Sequence, residues 1–95
     1  MNIEEYKASL QQSEAPSQLD KPLQALWYAA KEDWQQAHKL IQDEEDSKSA
    51  WVHAYLHRQE GDTMNAQYWY TRASRSMPDE TLNQEWENIV TNLLN

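Results

Sequence analysis

Apolar residues recur along this chain at helical intervals. Near its end, Leu82, Trp86, Ile89, Val90 and Leu93 follow one another at steps of four, three, one and three residues, which places them on one face of a helix. Nowhere do apolar and polar residues alternate for long enough to form a half-buried strand. The pattern therefore predicts an all-α protein.

Start and stop signals divide the chain into successive helices. Asp20, Asp33 and Asp62 stand where an aspartate can cap the first turn of a helix. The acidic run at residues 43–46 favours the start of the helix that follows it, because negative charge is stabilising at a helix N-terminus. Gly61, the one glycine, predicts the left-handed residue that ends a helix.

These signals also outline a single domain of 95 residues. A chain of this length can bury over ~60% of its unfolded surface without a metal or a disulfide. The first helix should cover about residues 2–11. We expect four segments: an N-terminal helix and loop at 1–19, a first hairpin at 20–44, a second hairpin at 47–78 and a C-terminal helix at 79–95.

The two hairpins are related by an internal repeat. A shift of 29 residues aligns residues 25–37 with residues 54–66. Identical residues then stand at matching points, Ala25 with Ala54, Asp33 with Asp62 and Ala37 with Ala66. Small residues on consecutive helices allow close backbone approach, and the aspartate caps the second helix of each pair.

The second hairpin resembles a tetratricopeptide repeat (TPR). The residues at the family's spacing are Ala54, Gly61, Asp62, Ala66, Tyr70, Ala73 and Pro78. His53 and His57 stand where the family usually has Leu and Tyr. The first hairpin has Glu32 in place of the turn glycine and Glu44 at a small position, and its step is shorter than the family's length of about 34 residues.

This resemblance implies an all-α domain of tandem TPR-like hairpins with flanking N- and C-terminal helices. It also implies a concave groove that binds a peptide or a partner helix. Residues 25–73, which include "LWYAAKEDWQQAH" and "AWVHAYLHRQEGDTMNAQYWYTRA", are also similar to a group of small uncharacterised bacterial proteins. That second likeness supports the fold and implies no function.

Charge and composition narrow the function. The chain carries 16 acidic and 8 basic residues, a net charge of -8, which disfavours binding to nucleic acid or to an anionic membrane. The absence of cysteine excludes thiolate catalysis and cysteine-bound zinc. A single glycine leaves no phosphate-binding glycine-rich loop, and no nucleophile elbow is present. We therefore expect a non-enzymatic protein that needs no cofactor.

The first residues and the apolar runs bear on location. "MNIEEYKASLQQ" has acidic residues where a signal peptide has a basic segment and an apolar stretch. The longest apolar run, "ALWYAA", is too short to span a bilayer. These features predict a soluble, cytoplasmic protein.

Two surfaces are candidates for binding a protein or peptide partner. Trp51, Tyr55 and Arg58 fall on one side of a helix, and the TPR resemblance places them in the inner groove. The alternative is that Trp51 and Tyr55 pack against Leu26 and Ala30. A second stripe consists of Asn65, Tyr68 and Arg72. Exposed tryptophan would also permit self-association.

A different class of function rests on the histidines. His53 and His57 are one helical turn apart, close enough for both imidazoles to hold one metal ion, and His38 is a candidate third ligand. Alternatively, each histidine makes a structural hydrogen bond with Tyr28, Trp69 or Tyr70. The sequence favours a protein-binding helical-repeat module, and the alternative is a metal or small-molecule site, catalytic or not, at these histidines.

Overall fold

The computed structural model describes residues 1–95 and contains six α-helices and no strand. The predicted all-α class is confirmed. The helices are α1 (Ile3–Ser9), α2 (Lys21–Ala30), α3 (Trp34–Ile41), α4 (Ser47–Gln59), α5 (Thr63–Arg72) and α6 (Leu82–Leu94). None of them combines the length and the apolar character that a membrane span requires.

Each helix begins with a side chain that accepts a hydrogen bond from a backbone amide of its first turn, which satisfies an otherwise unpaired donor. The caps are Asn2, Asp20, Asp33, Asp46, Asp62 and Thr81. The three aspartate caps read from the sequence are confirmed. The first helix is shorter than the pattern predicts, because it ends at Ser9 with Leu10 as its C-cap.

The turns inside the two hairpins share one backbone geometry. Gly61 has a φ of 85°, as predicted for the residue that ends α4, and Glu32 has a φ of 63° at the equivalent point after α2. In each turn the amide of the following aspartate, Asp62 or Asp33, donates to the carbonyl five residues earlier, at 2.9 Å. The repeat in sequence is therefore a repeat in turn structure.

The helices pack in two adjacent pairs with a third layer across them. α2 packs on α3, α4 packs on α5, and α4 also contacts α2 and α3. α6 packs along α1, α2 and α4, and Glu85 of α6 also accepts a hydrogen bond from Tyr70 of α5. It therefore covers one side of α2 and α4 and reaches the last turn of α5. α5 packs mainly against α4.

Tryptophan side chains fasten the helices to one another. Three of the five indoles donate a hydrogen bond to another helix: Trp27 to Ser9 Oγ at 3.0 Å, Trp34 to the Leu56 carbonyl at 2.7 Å and Trp86 to the Leu26 carbonyl at 2.9 Å. A buried indole is stable only when its N–H finds a partner. Each of these bonds thus fixes the relative position of two packed helices.

Candidate metal centre

All three histidines of the chain converge at one point. His38 lies on α3, and His53 and His57 lie one turn apart on α4. The Nε2 atoms of His38 and His53 are 3.0 Å apart. One ring nitrogen from each histidine lies within 4.8 Å of those of the other two. The fold thus assembles three imidazoles from two different hairpins.

Packing of α3 on α4 brings His38 to the other two histidines. The indole N–H of Trp34 donates to the Leu56 carbonyl in α4 and fixes the first turn of α3 there. His38 follows one turn later on the same face of α3. The bond from Trp34 therefore sets the distance between His38 and the α4 histidines.

Two indoles lie against the imidazole rings. Trp34 stacks on His38 with ring centroids 4.7 Å apart and an interplanar angle of 10°. Trp69, from α5, stacks on His53 at 3.8 Å and 16°. Flat contacts of this kind restrict ring rotation and keep water from the covered faces. His38 and His53 are therefore held in orientation before any ligand arrives.

The protein environment keeps His38 and His53 neutral near pH 7. His53 is 4% exposed, and burial, with the nearby charges of His38 and His57, lowers its pKa to about 3. Burial, followed by the charge of His57, also lowers the pKa of His38. Neutral imidazole is the form that binds a metal ion. The site therefore needs little deprotonation before it can coordinate one.

A carboxylate orients the third histidine. Nδ1 of His57 lies 2.8 Å from Oε1 of Glu60. The carboxylate can therefore accept a hydrogen bond from Nδ1–H, which leaves the lone pair of Nε2 free to bind a metal ion. Carboxylates paired with metal-binding histidines fix the ring and its tautomer in this way. The structure thus places the Glu60 carboxylate behind His57, on the Nδ1 side of its ring.

Two buried polar atoms near the cluster have no hydrogen-bond partner. They are Nδ1 of His53 and Oγ of Ser49, which lie one turn apart on the same side of α4. An unpaired buried polar atom costs about 1–3 kcal/mol. In native proteins such atoms often bind a buried water molecule or an ion.

The histidines do not hydrogen-bond to Tyr28, Trp69 or Tyr70; His53 and His57 are buried, and the hydrogen-bonded pairs are His38 with His53 and His57 with Glu60. Trp69 stacks on His53 and is not hydrogen-bonded to it. The Tyr70 hydroxyl donates to Glu85 at 2.5 Å, and Tyr28 packs against the Trp27 ring edge at 5.0 Å. The histidines instead contact each other and Glu60.

Trp51 and Tyr55 are core residues. They are 7% and 3% exposed, because α6 packs over this side of α4. Tyr55 shares a shallow depression with Ala30 and Trp86, and burial followed by the charge of Glu85 raises its pKa to about 12. The two side chains therefore do not line an open groove.

Arg58 belongs to a buried polar network. Its guanidinium donates to Oε1 of Glu85 at 2.8 Å and to the Glu80 carbonyl. The other oxygen of Glu85 accepts from Tyr70, and Glu85 is 1% exposed. The sequence signal for Glu85 was available, since it is an acid next to Trp86 in the apolar stripe of α6.

The side chain of Arg75 covers Trp51. Its guanidinium carbon lies 3.4 Å from the Trp51 ring centroid, which is a cation–π contact. Beside it, a cleft of about 450 Å³ lies between the segment after α5 and α6; it is lined by Trp51, Ser74, Arg75, Ser76, Pro78, Glu80, Glu85, Asn88 and Asn92. Arg75 thus lies over the Trp51 ring at the cleft wall.

Asn65, Tyr68 and Arg72 lie on the outer side of α5. All three are exposed, Tyr68 by 54%. The Arg72 guanidinium donates to the Tyr68 hydroxyl at 3.2 Å and lies 5.4 Å from the Trp69 ring centroid. This is the predicted surface that remains open to solvent.

Comparisons with known proteins gave no relative that could explain the site, so its geometry alone supports its interpretation. A scan against protein-family models, a search of curated proteins and a search of solved structures each found no match.

Proposed function

We propose that this protein binds a divalent transition-metal ion through His38, His53 and His57. The observation that carries the proposal is the mutual approach of three ring nitrogens within 4.8 Å. On a tetrahedral ion with metal–nitrogen bonds of about 2.0–2.1 Å, two ligand nitrogens stand about 3.3 Å apart. The His38 and His53 nitrogens, at 3.0 Å, are already close to that spacing.

The donor atoms define the class of ion. Imidazole nitrogen suits Zn²⁺, Cu²⁺, Ni²⁺ and Co²⁺, whereas Mg²⁺ and Ca²⁺ require oxygen ligands. The pairing of His57 with Glu60 supports the same class, because a carboxylate raises the basicity of a coordinating imidazole. We therefore expect Zn²⁺ to bind and Mg²⁺ not to bind.

Metal binding would join the two hairpins. His38 belongs to α3 and the other ligands belong to α4, so one ion bridges helices from both pairs. An ion that binds the folded chain but not the unfolded chain stabilises it by about 2.7 kcal/mol at one hundred times its dissociation constant. The bound state should therefore unfold at a higher temperature.

Zinc titration tests this proposal. Calorimetry of the chelator-treated protein should give one ion per chain, and thermal unfolding should shift upward with Zn²⁺ but not with Mg²⁺. His38→Ala, a change at a half-buried position, should remove both effects. Gln35→Ala, on the exposed side of the same helix, is the matched control. Absence of binding by the wild-type protein would refute the proposal.

A second candidate function is binding of a protein partner by a TPR-like module. It is supported by the outer face of α5, which carries the most exposed large apolar residues, Met64 at 85% and Tyr68 at 54%. Tyr and Arg often contribute much of the energy of an interface. Tyr68 and Arg72, with Asn65 beside them, would form the contact surface.

Affinity capture tests the second candidate. A partner should co-purify with the wild-type chain and be lost from the Tyr68→Ser, Arg72→Ser double variant, whose exposed positions leave the fold intact. Gln67→Ala on the same helix is the control. Sedimentation velocity over a concentration series separates capture from self-association. If the double variant and the Gln67→Ala control recover the same amount of partner, this surface is excluded as the binding site.

A further inference from the structure

No fourth protein ligand completes the histidine cluster. The group of potential ligands contains three histidines and no further His, Asp or Glu. The nearest carboxylate, Glu60, contacts Nδ1 of His57, which lies on the other side of the ring from Nε2. The chain contains no cysteine. A four-coordinate ion held here must take its last ligand from outside the protein.

The surrounding helices leave a route to that position. α3 and α5 both pack on α4, and their backbones do not approach each other closely. The histidines of α4 therefore lie at the base of a gap between these two helices. His38 and Trp69, which border the gap from either side, are only half-buried. Solvent can therefore reach His38, the most exposed of the three histidines.

The walls of the gap limit the size of an external ligand. Trp34 and Trp69 lie flat against His38 and His53, and no cavity of substrate size adjoins the two buried histidines. The depression that includes His38 opens on the outer side of α3; it is lined by Asp33, Gln35, Gln36, His38, Lys39 and Gln42. Neither His53 nor His57 lines any of these clefts, so we expect the external ligand to be small.

Charge favours an anion. Three neutral imidazoles leave the full charge of a divalent ion uncompensated, unlike the thiolates of structural zinc sites. A three-histidine ion with an open position also lowers the pKa of its bound water to about 7. Hydroxide and other small anions are thus the favoured external ligands.

We infer that the ion bound by His38, His53 and His57 keeps one open coordination position, which faces the gap between α3 and α5 and binds hydroxide or a small anion. This inference rests on the metal binding proposed above. It assigns the centre to the reactive type of site, in which the ion can activate water, and distinguishes it from a closed structural site.

Cobalt substitution tests the two proposals separately. Co²⁺ absorbs visible light with an intensity and band position that depend on its ligands. Appearance of these bands at one Co²⁺ per chain tests metal binding. Addition of azide in large excess then tests the open position, and the bands should shift to a new limit. A pH titration should show one deprotonation near 7.

Each outcome separates the proposals. If Co²⁺ does not bind, metal binding itself fails. If Co²⁺ binds but azide leaves the spectrum unchanged, or only releases the ion, the open position is refuted. Benzoate, which is larger than the few-atom ligand expected here, should have no effect on the wild-type protein, and a shift with benzoate would contradict the expected size limit.

A positioning variant adds a second readout. Glu60→Gln, at an exposed position that should not disturb folding, is expected to weaken Co²⁺ binding by about 10–100-fold while the azide-induced shift persists at full loading. Lys39→Gln, an exposed change on α3, should alter neither property. Loss of the azide shift in Glu60→Gln at full loading would place the external ligand on Glu60 and overturn the assignment.

Discussion

Glu32 and Gly61 share the left-handed backbone conformation, with φ angles of 63° and 85° in equivalent turns. Side chains disfavour this region by roughly 1–2 kcal/mol, whereas glycine adopts it freely. Glu32→Gly should therefore stabilise the protein, by about 1 kcal/mol after the larger entropy of an unfolded glycine is included. Urea unfolding followed by circular dichroism measures the change.

The reverse substitution is the control. A Cβ atom at Gly61 would meet nothing within 4 Å, so Gly61→Ala changes backbone strain without creating a clash. It should destabilise the protein by about 1 kcal/mol. Equal stability of both variants and the wild-type protein would contradict the role assigned to the turns.

Acid should destabilise the metal-free protein through His53. Its pKa is about 3 in the folded chain and 6.5 in the unfolded chain, so the unfolded chain binds more protons between these values. Stability is then complete above pH 6.5 and falls as the pH decreases towards 3, with a slope of up to about 1.4 kcal/mol per pH unit. Denaturant unfolding at a series of pH values measures it.

His53→Gln provides the comparison for the pH series. Glutamine does not titrate, so the loss of stability below pH 6.5 should become shallower even if the variant is less stable throughout. His38, whose pKa is also lowered, should account for part of the remaining slope. Parallel pH profiles for variant and wild type would show that His53 does not cause the acid sensitivity.

Removal of Arg58 should be strongly destabilising. Its guanidinium is the cationic partner of Glu85, which is 1% exposed, so Arg58→Ala leaves a buried carboxylate uncompensated. Breaking one side of a buried ion pair typically costs 3–5 kcal/mol, and since Arg58 is partly exposed we expect about 3 kcal/mol. Thermal and urea unfolding test this.

Arg75→Ala is a matched control for the Arg58 variant. Arg75 lies over Trp51 but pairs with no carboxylate, so its removal should cost about 1 kcal/mol or less. If both arginine variants lose the same stability, the Glu85 network is not the source of the Arg58 effect. Tyr70→Phe should have an intermediate effect, because Arg58 still neutralises Glu85.

Trp86 should be more important than its place near the end of the chain suggests. Its indole N–H donates to the Leu26 carbonyl at 2.9 Å, across the contact between α6 and α2. Trp86→Phe removes the donor and leaves some space, so a loss of about 1–3 kcal/mol is expected. Tyr68→Phe, at an exposed site, should change stability by less than about 0.5 kcal/mol.

Local features of the fold could be predicted from the sequence. Capping by Asp20, Asp33 and Asp62 and the left-handed Gly61 depend on neighbouring residues, and the structure contains them. The residue type of Glu32 does not indicate a positive φ. Only its alignment with Gly61 in the internal repeat does so.

Features that depend on packing could not be predicted in this way. Helical periodicity gave α6 an apolar stripe but did not indicate which helices it contacts, so the burial of Trp51 and Tyr55 was left open. His38 was named only as a candidate ligand, because its distance from His53 depends on how α3 rests on α4. The bond from Trp34 to Leu56 that fixes this arrangement has no local signature.

The position of α6 also bears on how the chain unfolds. In a linear helical repeat each unit touches only its neighbours, so the ends can melt separately. Here α6 contacts α1, α2 and α4, and Tyr6 meets Trp86 with ring centroids 5.7 Å apart. The two extremities of the chain thus share one core, and unfolding should proceed as a single cooperative transition rather than by fraying of the terminal helices.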